Sequence, residues 1–73
     1  MELTVLERDN IGGHSSYTIN LFKNSQEPYS SEIYNLDNKI VDDIDDVIDM
    51  LEDLSWKDNF VYEVIDGWGN QIG

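Results

Sequence analysis

One stretch constrains the fold more than any other. From Ile40 onward, Ile44, Val47, Ile48, Leu51 and Leu54 follow at steps of three and four, with Val41 and Met50 beside them. That spacing lines apolar side chains along one side of an α-helix and does not fit the period-two alternation of a strand. Asp37 or Asn38 offers the short side-chain oxygen that caps such a helix, and Ser55-Trp56-Lys57-Asp58-Asn59 ends it. The opposite side is filled with carboxylates: Asp42, Asp45, Asp46, Asp49, Glu52 and Asp53, with Asp43 at the border. Lys39 precedes this run and no basic residue lies within it.

Short strands flank the helix. Leu3 and Val5 share one face of a strand from Glu2 to Arg8. Tyr17, Ile19 and Leu21 alternate with Thr18, Asn20 and Phe22 in a second strand, Ser16 to Phe22. Asp9-Asn10-Ile11-Gly12-Gly13 is turn chemistry, so the pair reads as a hairpin. Lys23 to Ser31, with Pro28, is a loop. Ser31 to Leu36 fits either a short third strand around Ile33-Tyr34 or an extended lead-in to the helix. Phe60 to Asp66 is a strand rich in β-branched and aromatic residues, followed by the turn Asp66–Asn70 and a short pairing at Gln71–Gly73. The expectation is one α+β domain over residues 1–73. A small antiparallel sheet of three to four strands is covered on one face by a single amphipathic acidic helix, in the order β-β-(β)-α-β.

Charge excludes whole classes of function. Sixteen Asp and Glu stand against four Lys and Arg in 73 residues, a net charge of −12. Phosphate backbones and anionic membranes are held by Lys and Arg, so neither direct nucleic-acid binding nor membrane attachment is expected. A partner chosen by charge is basic. Apolar residues make up 40% of the chain, too many for a disordered acidic tail. No apolar run reaches the ~20 residues of a membrane span, and Met1 to Val5 lacks the basic start of a secretory leader, so a cytoplasmic protein is expected. There is no cysteine and His14 is the only histidine, so no metal or other cofactor is expected. No nucleophile–base pair or phosphate-binding glycine loop appears, so the chain is not expected to be an enzyme. A core this thin also leaves room for packing against a second copy or a partner.

The acidic helix is costly. A helix kept for stability alone interleaves Lys at i+4, whereas this one pairs like charges. Asp42–Asp45, Asp42–Asp46, Asp45–Asp49, Asp46–Asp49, Asp49–Glu52 and Asp49–Asp53 each cost roughly 0.2–0.5 kcal/mol at low salt. Glu52 and Asp53 also stand at the negative end of the helix dipole, and Asp is a poorer helix former than Glu. A solvated face is the bland account of such a row. Its cost favours a role outside the molecule.

Small size, absent cysteine, net negative charge and the run Asp42-Asp43-Ile44-Asp45-Asp46-Val47-Ile48-Asp49-Met50-Leu51-Glu52-Asp53 together resemble the small phage-encoded inhibitors known as DNA mimics. That class includes some anti-CRISPR proteins, anti-restriction proteins and uracil-glycosylase inhibitors. It has no common fold, so the resemblance bears on function alone. It implies a non-catalytic inhibitor whose acidic face enters the basic groove of a nucleic-acid-binding enzyme in the host cytoplasm. Asp42, Asp45, Asp46, Asp49, Glu52 and Asp53 would supply the charge. Trp68, between Gly67 and Gly69, and Tyr29 would supply aromatic anchors. An immunity protein or antitoxin that neutralises a basic toxin is the alternative, and a small structural or assembly subunit is a third.

Overall fold

The computed structural model describes residues 1–9 and 11–73. Strands β1 (Glu2–Arg8) and β2 (His14–Lys23) form the expected antiparallel hairpin, with Val5 opposite Tyr17 and Leu3 opposite Ile19. Asp9 closes the turn, its Oδ1 accepting from the amides of Ile11 at 2.9 Å and Gly13 at 2.7 Å. Gly12 takes φ 85°, where a side chain is disfavoured. Asn10, assigned to the same turn, lies outside the described residues.

The direction of β2 dictates the path of the next segment. It runs against β1 and so ends beside the start of β1. From there the chain passes through a one-turn helix, α1 (Ser31–Tyr34), and enters β3 (Lys39–Val41) at that same end. Strand β3 is therefore parallel to β1, with Leu6 in register with Ile40. The helix α2 (Ile44–Asp58) returns across the sheet, and β4 (Phe60–Ile65) pairs antiparallel with β2. The four-stranded sheet has the order β3-β1-β2-β4, leaving β3 and β4 at its edges. The chain end adds the expected short pairing, a bridge between Ile65 and Gln71, and the Val64 amide donates to the Gly73 carbonyl at 3.1 Å.

Several expectations are corrected. The sheet is mixed, not antiparallel, and the element order is β-β-α-β-α-β with two helices in place of one. Ile33-Tyr34 belongs to α1, not to a strand. The third strand is Lys39–Val41, which the apolar spacing assigned to the start of the long helix. Ile40 and Val41 are β-branched and fit a pleated strand. Asn38 turns the chain into it at φ 60° and donates its amide to the Thr4 carbonyl at 2.6 Å. Asp37 caps no helix; its Oδ1 accepts from the Thr4 amide at 3.1 Å. The N-cap of α2 is Asp43, in extended backbone, accepting from the Asp45 amide at 2.9 Å. Asp42 is consequently outside the helix. At the far end α2 continues through Ser55–Asp58 and stops at Asn59, left-handed at φ 56°, a conformation that asparagine tolerates.

A single core lies between the sheet and the helices. Leu3, Val5, Ile19, Leu21, Phe60 and Val64 come from the sheet, Ile44, Val47, Leu51 and Leu54 from α2, and Ile33 and Leu36 from α1 and the turn after it. Ile48 and Met50 pack at its margin. Glu7, at the end of β1, joins the two layers. Its Oε2 accepts from the Ile44 amide at 2.7 Å, and its Oε1 accepts from the Tyr17 hydroxyl at 3.1 Å. It thereby satisfies a helix-start amide that no backbone carbonyl reaches.

Glu7→Ala removes the acceptor for both groups and should lower stability by about 1–3 kcal/mol, with Glu7→Gln between it and the parent. Urea unfolding followed by circular dichroism checks this, reading a shifted midpoint at constant slope. An unchanged midpoint for Glu7→Ala would show that this bond contributes nothing.

Candidate functional site

The carboxylates divide by what they touch. Asp9, Asp37, Asp43, Asp58, Asp66 and Glu7 each accept from backbone amides and hold turns, caps or the strand–helix junction. Glu63 accepts from the Asn20 side chain at 3.0 Å across the sheet. Asp42 stands 3.4 Å from Arg8 in an exposed ion pair. Glu2, Glu27 and Glu32 are exposed, without a partner among the described residues, and scattered; the other five are together on α2. Asp45, Asp46, Asp49, Glu52 and Asp53 are all exposed and have no hydrogen-bond or ion-pair partner among the described residues.

Their cost is smaller than the sequence suggests. Asp45 and Asp46 occupy the first turn, where the helix dipole favours anions. Once Asp42 is off the helix, the like-charge pairs at helical spacing are Asp45–Asp49, Asp46–Asp49, Asp49–Glu52 and Asp49–Asp53. Together they cost about 1–2 kcal/mol before screening. Asp49 is common to all of them.

Two exposed tryptophans lie toward opposite ends of α2. Trp56, expected in a turn, lies on the last turns of α2, one helical turn beyond Glu52 and Asp53, and is 83% exposed. Trp68 is 85% exposed in the turn after β4. Asp66 holds that turn, its Oδ1 accepting from the amides of Trp68 and Asn70, both at 2.9 Å. Strand β4 runs antiparallel to α2, so this turn lies toward the start of the helix and Trp56 toward its end. Tyr29 is elsewhere. It is half-buried and edge-on to Phe60 at 5.5 Å and to Tyr34 at 6.3 Å, with the Lys23 ammonium 4.9 Å above its ring. Its contacts are internal ones. The exposure of Trp56 is that of an aromatic at the helix end, but its place on α2 and not in a turn puts it on the same side of the wheel as the acidic row.

The field of the row reaches the sheet. Burial foremost, then the charges of Glu52 and Asp49, push the Tyr62 hydroxyl pKa up. Burial, then the bond to Glu7, then the charges of Glu7, Asp66 and Asp45 do the same for Tyr17. Asp58 behaves oppositely. The Ser30 amide, 3.1 Å away, foremost holds its carboxyl below the usual range, with help from the adjacent Ser30 hydroxyl and the charges of Lys23 and Lys57. Among the described residues no three His, Asp or Glu side chains converge on a point that could hold a metal ion. Among the described residues, too, no helix is long and apolar enough to cross a membrane.

Asp49→Asn removes every like-charge pair on α2 and should raise stability by about 1 kcal/mol at low salt, with the gain fading as salt is added. Chemical denaturation at two ionic strengths reads it, and a salt-independent change would point to another cause. A carboxyl held below its unfolded value stabilises the fold above the ordinary carboxylate range and loses that contribution as pH falls through the lowered value. The parent should therefore lose more stability than Asp58→Asn between about pH 5 and pH 2. Matching acid limbs would remove Asp58 from the acid response.

No protein-family model, curated protein or solved structure matches this chain.

Proposed function

We propose that this chain is a non-catalytic protein inhibitor of the nucleic-acid-mimic type. The acidic face of α2 occupies the basic groove of a nucleic-acid-binding enzyme and excludes its substrate. One observation carries the proposal: of the eight carboxylates with no partner among the described residues, Glu2, Glu27 and Glu32 are scattered, whereas Asp45, Asp46, Asp49, Glu52 and Asp53 are gathered on one face of α2. They extend over roughly 12 Å of helix, about one charge per 3 Å of axis. Phosphates along one DNA strand rise by about 3.4 Å each, so a groove of Lys and Arg built for the one spacing suits the other.

The division of labour comes from charge and burial. Exposed carboxylates steer the encounter and set its rate, because long-range attraction precedes contact. Individually they add little to affinity. Trp56, on α2 beyond the row, and Trp68, in the turn after β4, are the exposed aromatic side chains suited to anchoring the complex. Asp42, paired with Arg8, is at the margin of this face.

The test starts with capture of a partner on the immobilised chain and asks whether that partner loses duplex or single-strand binding as the chain is added. Replacing Asp45, Asp49 and Asp53 together by Asn should slow association by about tenfold or more at low salt and flatten its salt dependence. A partner that binds nucleic acid and this chain simultaneously would sink the proposal, as would a triple variant with unchanged kinetics.

A further inference from the structure

The row on α2 offers charge without a pocket. An apolar recess lies on its border, between α2 and the edge strand β3. Leu36, Val41, Val47 and Met50 line a groove of about 340 Å³, and three carboxylates, Asp42, Asp43 and Asp46, outnumber the one cation, Lys39, in its lining. Leu36 and Val47 are buried, Val41 and Met50 half-buried, and Ile40 is 44% exposed beside them. Strand β3 is paired on one side only, to β1. Partly exposed aliphatic side chains beneath an acidic rim, next to an unpaired strand edge, form a mixed surface that water satisfies poorly.

We infer that this groove takes an extended segment of a partner in which an aliphatic side chain is flanked by Arg or Lys. The inference rests on the basic-partner proposal above and refines it by placing the anchor. The aliphatic side chain packs on Val41, Val47 and Met50, and its cationic neighbours meet Asp42 and Asp46. The Arg8–Asp42 pair is exposed on both sides, so an incoming cation exchanges for Arg8 at little cost. Charge complementarity selects this occupant over a second copy. Another copy brings a net charge of −12 to an acidic rim, its four cations, Arg8, Lys23, Lys39 and Lys57, outnumbered by sixteen carboxylates.

Two capped peptides of equal positive charge test it, one alternating Arg or Lys with Leu and the other with Ser in place of Leu. Each is titrated into the ¹⁵N-labelled full chain. The Leu peptide should shift the amides of Lys39–Asp43, Asp46, Val47 and Met50 and bind at least about tenfold tighter than the Ser peptide, the gain expected from burying an aliphatic side chain. Met50→Ala should weaken the Leu peptide alone. Equal affinities, with shifts confined to the outer face of α2, overturn the groove and leave the acidic row intact. Absence of binding by both peptides sinks the basic-partner proposal and the groove with it. Concentration-dependent shifts of the groove amides in the free chain assign it to a second copy and also overturn the inference.

Discussion

The layers of this small domain meet at a hydrogen bond between a strand side chain and a helix amide. Without Glu7 the first turn of α2 would be capped by Asp43 alone, and the Ile44 amide would be left without an acceptor at the edge of the core. That bond fixes where the helix starts relative to β1. Through the start it fixes the register of the apolar stripe against Leu3, Val5 and Val64. The outward side of the same helix is set by the same choice. A helix rotated by one residue would turn Asp45 and Asp49 partly toward the core, where a charge is expensive. Placement of the acidic row is thus tied to the buried stripe of Ile44, Val47, Leu51 and Leu54 and to one carboxylate that does not belong to it.

Half of the sixteen carboxylates of the chain have local employment. Asp9 and Asp66 build turns in the same manner, each with one oxygen bridging two amides. Asp37, Asp43 and Asp58 bind the ends of short elements to their neighbours. In 73 residues without disulfides, such bonds replace part of the cohesion that a larger core supplies. High negative charge is therefore partly a matter of architecture. Only the fraction on the outer face of α2 calls for an explanation outside the molecule.

Alternation made β1, β2 and β4 legible in the sequence, and the three-and-four spacing from Ile44 to Leu54 made most of α2 legible. The start of α2 was not. Ile40 stands four residues before Ile44, and Asp37 and Asn38 are good caps, so the stripe extends backward without contradiction. A three-residue strand carries no period of its own. Only the carbonyl of Thr4, far along the chain, decides that Asn38 and its successors join the sheet. The candidate face inherited both outcomes. Asp45 to Asp53 stand where the wheel puts them. Asp42 does not, because its position depended on the false start. Trp56, legible as an aromatic that can be left exposed, was put in a turn by the opposite error, an end placed too early.

Strand β1 is made first yet ends in the interior of the sheet, flanked by β2 and β3. Its hairpin with β2 closes over a short loop and can form early, while its pairing with β3 joins residues more than thirty positions apart and must wait for loop closure. Until α2 is complete, the apolar faces of Leu3, Val5, Ile19 and Leu21 have no cover.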